Sequence, residues 1–161
     1  MRSRPELGSG NATATRHLLV LLLALVGLPA AWAAPRDEPS VADLKARIAS
    51  ASPSDRTHLC IQIAEKQLQE TDKQYAAGDS EKAQPSLTDV VAYSELARDY
   101  SIQSRKHQKQ TEIAVRAMAR KLTGILHSLG GAEQAPVKDA INRLDRVRDD
   151  LLASMFKKGA E

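Results

Sequence analysis

The sequence predicts an all-α protein, and three observations support that class. Apolar residues recur at three- and four-residue spacings from Val41 to Phe156, which is the period of one face of a helix. No stretch alternates apolar and polar residues as a half-buried strand would. Glycine and proline are concentrated at a few points of this region, where helix ends and turns are expected.

The first 33 residues are predicted to be a secretory signal peptide. An apolar run covers residues 18–28, small residues flank Trp32, and three arginines come before the run: Arg2, Arg4 and Arg16. The run is shorter than the roughly 20 apolar residues that a membrane-spanning helix needs. We expect cleavage between Ala33 and Ala34 and a periplasmic or secreted location, with retention of the segment as an anchor as the alternative.

The charge balance gives no support for a nucleic-acid partner. The whole chain has a formal net charge of +3, but residues 34–161 carry only +1, because the predicted signal removes three arginines and one glutamate. Residues 101–121 also lack aromatic side chains on which bases could stack. We therefore expect no nucleic acid among the partners.

Capping residues place the first two helices. Ser40 precedes a short amphipathic segment, and Ser52 precedes a proline at the first helical position. Gly78 supplies the left-handed residue that commonly ends a helix. The expected segments are a flexible leader over 34–39 and helices over about 41–51 and 53–77, within a single helical domain that spans 40–158.

The second helix has a wide apolar face that is expected to be buried. Cys60 lies on this face and is the only cysteine of the chain, so no internal disulfide can form and helix packing must supply the stability. We interpret Cys60 as a small buried apolar residue. An intermolecular disulfide in an oxidising compartment is the alternative. The face consists of Cys60, Ala64, Leu68, Thr71 and Tyr75.

A third, long helix is predicted after Asp79, since no glycine follows until Gly124 and apolar residues continue to Leu129. Some forty residues would extend roughly 60 Å. Its apolar seam is weak around Ser104, where the helix is either continuous or bends. Gly130 and Gly131 are expected to end it, and Pro136 to begin the last helix.

Short turns between these helices make successive helices antiparallel neighbours. We therefore predict an elongated array of antiparallel helical hairpins around one long central helix. The alternative is a compact four-helix bundle, formed by breaking the long helix near Ser104. The helical spacing alone is compatible with both.

The turn after the second helix resembles the inter-helix turn of a tetratricopeptide repeat. Residues 75–83 read Tyr-Ala-Ala-Gly-Asp-Ser-Glu-Lys-Ala and Leu87 follows, and that family has a tyrosine, a Gly-Asp turn, a small alanine and a large apolar residue at these offsets. The resemblance implies a closely packed helical hairpin. Gln67, Glu70 and Thr71 stand where the family usually has Trp, Leu and Gly, so the likeness is one of hairpin chemistry and not of family membership.

Few residues indicate catalysis. His58 and Cys60 are two positions apart on one helix and point to opposite faces, so they form no nucleophile–base pair by themselves. Asp55 and His58 have the i,i+3 spacing of a weak metal site, which a polar helix start also produces by accident. Neither a metal motif nor a phosphate-binding loop occurs in the sequence. We expect surface histidines, no cofactor, no bound metal and no enzymatic activity.

The strongest functional indication is a basic segment, residues 98–121, with seven cations against Asp99 and Glu112. Such a segment is either neutralised by the mildly acidic second helix or available to an anionic partner, such as a lipid head-group layer, a cell-wall polymer or an acidic protein. The candidate contact residues are Arg98, Arg105, Lys106, Lys109, Arg116, Arg120 and Lys121.

Three functional hypotheses follow from the sequence. The leading one is an exported non-enzymatic protein that acts through protein–protein contact, as an adaptor or a self-associating module. The second is an envelope-associated binder of anionic surfaces or polymers through the basic segment. The third is a metal-binding helical bundle, for which Asp55 and His58 are the only residues in suggestive positions.

Overall fold

Five α-helices make up the part of the chain that the computed structural model describes, residues 38–157. The predicted signal peptide, residues 34–37 of the leader and residue 158 lie outside the described residues. No strand occurs between residues 38 and 157, and the all-α prediction is confirmed. The helices are α1 (Val41–Ile48), α2 (Pro53–Ala76), α3 (Ser80–Ser104), α4 (Gln108–Ser128) and α5 (Gly131–Lys157).

The starts of α1 and α2 follow the predicted capping chemistry. The Asp43 N–H donates to Ser40 Oγ at 3.2 Å, and the Ser40 N–H donates to the Asp43 carboxylate at 3.1 Å, which completes a capping box. At α2, Ser52 Oγ accepts from the Asp55 N–H at 3.2 Å, and Pro53 is the first helical residue. Hydroxyl caps thus satisfy backbone donors that helix starts leave free.

Gly78 shapes the turn between α2 and α3. Its φ is 78°, a conformation that glycine adopts without the penalty of a Cβ. The Gly78 N–H donates to the Tyr75 carbonyl at 3.0 Å and the Asp79 N–H to the Gln74 carbonyl at 2.9 Å, which is the hydrogen-bond pattern of a Schellman motif. The segment that resembles a tetratricopeptide turn therefore joins two antiparallel helices here, as that likeness implies.

Of the two possibilities for the long helix, continuity or a bend near Ser104, the structure shows a break at that point. The chain leaves the helix after Ser104 and resumes at Gln108. Arg105 and His107 have left-handed backbone conformations, with φ of 54° and 63°. Large apolar side chains are missing around this break, so a straight continuation would bury little area, whereas reversing the chain lets α4 and α5 pack on α3.

The last helix begins at Gly131 and not at Pro136 as the sequence predicts. Hydrogen bonds hold the additional turn, because the Glu133 N–H donates to the Gly130 carbonyl at 3.1 Å and Gln134 Nε2 donates to the Leu129 carbonyl at 3.0 Å. Pro136 occupies the sixth position of α5 and lacks one helical N–H. These terminal hydrogen bonds compensate for that loss.

The helices form a bundle of two antiparallel hairpins. α2 pairs with α3 and α4 pairs with α5, and the hairpins meet mainly through α3 and α5, with further contact between α2 and α4. One continuous core includes Leu68, Val90, Leu122, Leu144 and Leu151. α1 packs on α2 through a smaller cluster of Leu44, Leu59 and Ile63. None of the helices within 38–157 is long and apolar enough to cross a membrane.

Candidate functional site

Three of the seven predicted contact residues are neutralised by acidic neighbours. In each case the carboxylate lies within 3.4 Å of the cationic nitrogen, so the positive charge is directed at this chain itself. Two of the contacts join different helices, and the one to Asp72 is the complementarity that the acidic second helix suggests. The pairs are Arg98 with Asp99 and with Asp150, Arg116 with Glu112, and Lys121 with Asp72.

The other four residues, Arg105, Lys106, Lys109 and Arg120, are exposed. None of them forms a salt bridge to a carboxylate within residues 38–157. Three of the four lie within five positions at the α3–α4 connection. Arg120 lies eleven residues after Lys109, roughly 16 Å further along α4. The structure thus divides the predicted basic segment and leaves one concentrated set of unpaired cations.

The C-terminal turn of α5 lies beside this set. Gln108 Nε2, in the first turn of α4, donates to Ser154 Oγ in α5 at 3.0 Å. Phe156 follows two residues later with 75% of its surface exposed, and Lys157 is exposed as well. We call the surface formed by five of these residues the basic end: Arg105, Lys106, Lys109, Phe156 and Lys157.

The sequence associates Phe156 with the apolar face of the last helix, but the structure exposes it. Its neighbours Leu151 and Met155 are buried and half-buried, so the core face of α5 ends before residue 156. A single exposed apolar side chain is ordinary on a protein surface, so the ring is of interest only for its position next to the cations. Aromatic residues and arginine are enriched at protein interfaces, which makes the ring part of the candidate surface.

Two histidines that the sequence treats as unrelated surface residues meet at the same end of the bundle. The ring centroids of His58 and His107 are 4.2 Å apart, with an interplanar angle of 62°. Ser54 Oγ lies 2.9 Å from His107 Nε2 and links the connection to the first turn of α2. No spacing in the sequence could have indicated the pair, because the contact depends on where α3 ends.

The backbone of the connection is fastened at both sides. The Arg105 N–H donates to the Ile102 carbonyl at 3.2 Å, which closes the end of α3. The His107 carbonyl accepts from the Thr111 N–H at 2.8 Å and from Thr111 Oγ1 at 2.9 Å, which anchors the start of α4. Thr111 is buried, so the basic end rests on the bundle and is not a free loop.

A second charged region lies between α3 and α5, but its central charges neutralise one another. Arg143 donates to the Glu95 carboxylate through Nε and Nη2, with the shortest distance at 2.8 Å, and Arg98 contacts Asp150 at 2.8 Å. An open groove of about 300 Å³ separates these pairs. We interpret the region as a junction between the two hairpins.

Cys60 does not have the properties of a reactive thiol. The residue has no exposed surface, and burial raises the pKa of its thiol to about 11. The thiolate is the nucleophilic form, so this environment opposes covalent catalysis. Among residues 38–157, no group of three or more His, Cys, Asp and Glu side chains is arranged to hold a metal ion. Asp55 and His58 therefore belong to no such group in the described part of the chain, although the ring of His107 contacts that of His58.

Comparison with known proteins adds no relatives. The chain matches no protein-family model, and neither the curated proteins nor the solved structures contain a significant match. The partial likeness to a tetratricopeptide turn accordingly remains one of local hairpin chemistry. Function has to be argued from the surface.

Proposed function

We propose that this chain is an exported, non-enzymatic helical protein that acts through protein–protein contact and presents the basic end to an acidic partner. The observation that carries the proposal is the contrast between paired and unpaired cations. Arg98, Arg116 and Lys121 are neutralised within the bundle, whereas the cations of the basic end are exposed and form no salt bridge to a carboxylate of residues 38–157.

The composition of the basic end favours a protein partner. Complementary charge accelerates encounter and selects partners, and an aromatic side chain supplies contact area that becomes desolvated on binding. Phe156 provides such a ring at the edge of the cationic set. The connection is fixed to the helices, so little conformational freedom would be lost when a partner binds. The partner is either another protein, as for an adaptor, or the acidic side of a second copy of this chain.

Charge reversal at the basic end tests this proposal. The variant Arg105→Glu, Lys106→Glu, Lys109→Glu is expected to reduce partner recovery by crosslinking in the native envelope fraction about tenfold, since it replaces attraction with repulsion. Its matched control makes the same charge change at three exposed cations outside the basic end: Arg120→Glu, Lys138→Glu, Arg146→Glu.

The control variant is expected to retain partner recovery. Equal recovery by the two variants would contradict a contact at the basic end. Sedimentation of the purified protein then distinguishes self-association from a separate partner. A monomer at high concentration, together with no crosslinked partner, would contradict the whole proposal.

An anionic envelope surface is a second candidate, favoured by the adjacency of Phe156 and Lys157. An aromatic ring next to cations is the composition of peripheral segments that lie in a head-group layer. The same two variants serve as the test, with vesicles of anionic and of neutral lipid. Loss of anionic-vesicle binding in the basic-end variant but not in the control variant would favour this candidate. Binding that survives charge reversal at the basic end would exclude a membrane contact through that surface.

A further inference from the structure

The contact between His58 and His107 lies where the α3–α4 connection crosses the start of α2. His58 is in the second turn of α2, and His107 directly follows Arg105 and Lys106 of the basic end. The two rings touch with their centroids 4.2 Å apart, and Ser54 bonds to the ring of His107. These are the side-chain links that the structure shows between residue 107 and α2.

We propose that the His58–His107 pair is a pH-sensitive latch, which fixes the α3–α4 connection against α2 near neutral pH and releases it when both rings are protonated. The inference rests on the proposed function, because the segment that is released carries Arg105 and Lys106. The latch thereby makes the basic end sensitive to pH.

Like-charge repulsion is the physical basis of the latch. Imidazole is the side chain whose charge ordinarily changes between pH 5 and 8. One protonated ring is tolerated, since a His107 imidazolium can still donate to Ser54 Oγ at 2.9 Å. A second proton would place two positive charges in van der Waals contact.

The surrounding charges add to the repulsion. Arg47 and Asp55 line the groove of about 460 Å³ that also contains His58, and Arg105 and Lys106 adjoin His107 along the chain. Cations thus outnumber the single acidic group, Asp55, among these charged neighbours.

The direction of the pH effect follows from this repulsion. Two positively charged rings in contact repel each other, and this repulsion is relieved when the rings separate on release. Stability of the latch is therefore complete while the rings are neutral and declines as the pH falls. The backbone favours release as well, since Arg105 and His107 hold left-handed conformations that are costly for residues with a Cβ.

Amide hydrogen exchange of the full chain, resolved at residues 105–111 and corrected for intrinsic exchange rates, tests the latch. Between pH 7.5 and pH 5.0 the opening constant of this segment is expected to rise about tenfold, while the middle of α5 stays unchanged. In His58→Gln the rise of the opening constant is expected to be less than about twofold, because glutamine does not titrate. Glutamine is also compatible with a helix, so α2 is kept. The matched control is His127→Gln, at an exposed position in the last turn of α4, which should keep the full response.

A native chain without the acid response, or a His58→Gln chain that keeps it, would overturn the latch. A second variant, Ser54→Ala, removes the hydrogen bond to His107 and is expected to raise the opening constant already at pH 7.5. All of these measurements use the protein without a partner. Failure of the latch is thus separable from failure of the proposed function, which the charge-reversal variants decide.

Discussion

Helical period explains which side chains of α2 are buried. Cys60, Ala64, Leu68, Thr71 and Tyr75 are all buried, as predicted, because a spacing of three and four places them on one face. Thr71 is the polar member, and it is satisfied by hydrogen bonds to the Gln67 carbonyl at 2.8 Å and to Ser86 Oγ at 2.9 Å. The second of these bonds joins two helices, and a single-helix pattern could not indicate it.

Cys60 is expected to be nearly inert in the folded protein. A thiol-reactive probe at pH 8 should label it at least about 100-fold more slowly in buffer than in denaturant, because labelling requires exposure and thiolate formation. The pKa of about 11 exceeds the unfolded value of 9.0, so this burial stabilises the fold below about pH 9, and the contribution is lost as the pH rises toward 11. A dimer on a non-reducing gel that disappears on reduction would contradict the interpretation.

At the scale of helices, α4 and α5 are joined by a charge cluster around Glu112. The Glu112 carboxylate is only 10% exposed and lies 3.4 Å from both Arg116 and Arg148. Arg148 Nε makes no hydrogen bond within the described residues and faces Glu112 at 3.4 Å, while Nη1 of the same guanidinium donates to the Asp145 carboxylate at 3.1 Å. In the sequence Glu112 is merely one acid within a basic segment.

Replacing Glu112 by glutamine is expected to lower the free energy of unfolding by about 1–2 kcal/mol, because Arg148 loses the more deeply buried of its two carboxylate partners. The value is below that of a fully buried pair, since Arg148 is 32% exposed. The control is Asp145→Asn, which removes the exposed partner of Arg148 and should cost less than about 0.5 kcal/mol. Urea denaturation measures both, and equal losses would contradict the role assigned to Glu112.

For the molecule as a whole, the core is shared between the two hairpins. Leu144 of α5 is fully buried in the cluster that also contains Leu68 of α2 and Val90 of α3. Neither hairpin has a separate core of comparable size among the described residues. We infer that the bundle unfolds as one cooperative unit.

Leu144→Ala is therefore expected to lower the free energy of unfolding by about 2–5 kcal/mol and to lower the protection of all four long helices together. Leu96→Ala, at a position 39% exposed, should cost less than about 1 kcal/mol and serves as the control. Thermal unfolding followed by circular dichroism, together with amide exchange, measures both effects. Two separate transitions, or protection lost only in α4 and α5, would contradict a shared core.

The sequence by itself determined the helical class, the capping serines at 40 and 52, the turn at Gly78 and the buried face of α2. These features depend on neighbours within one or two helical turns, which local spacing records. Only the tertiary structure decided that the long helix breaks near Ser104, which cations form no salt bridge, and that His58 meets His107. Contacts between residues dozens of positions apart depend on how the hairpins pack, and the helical period is the same in an extended array and in a bundle.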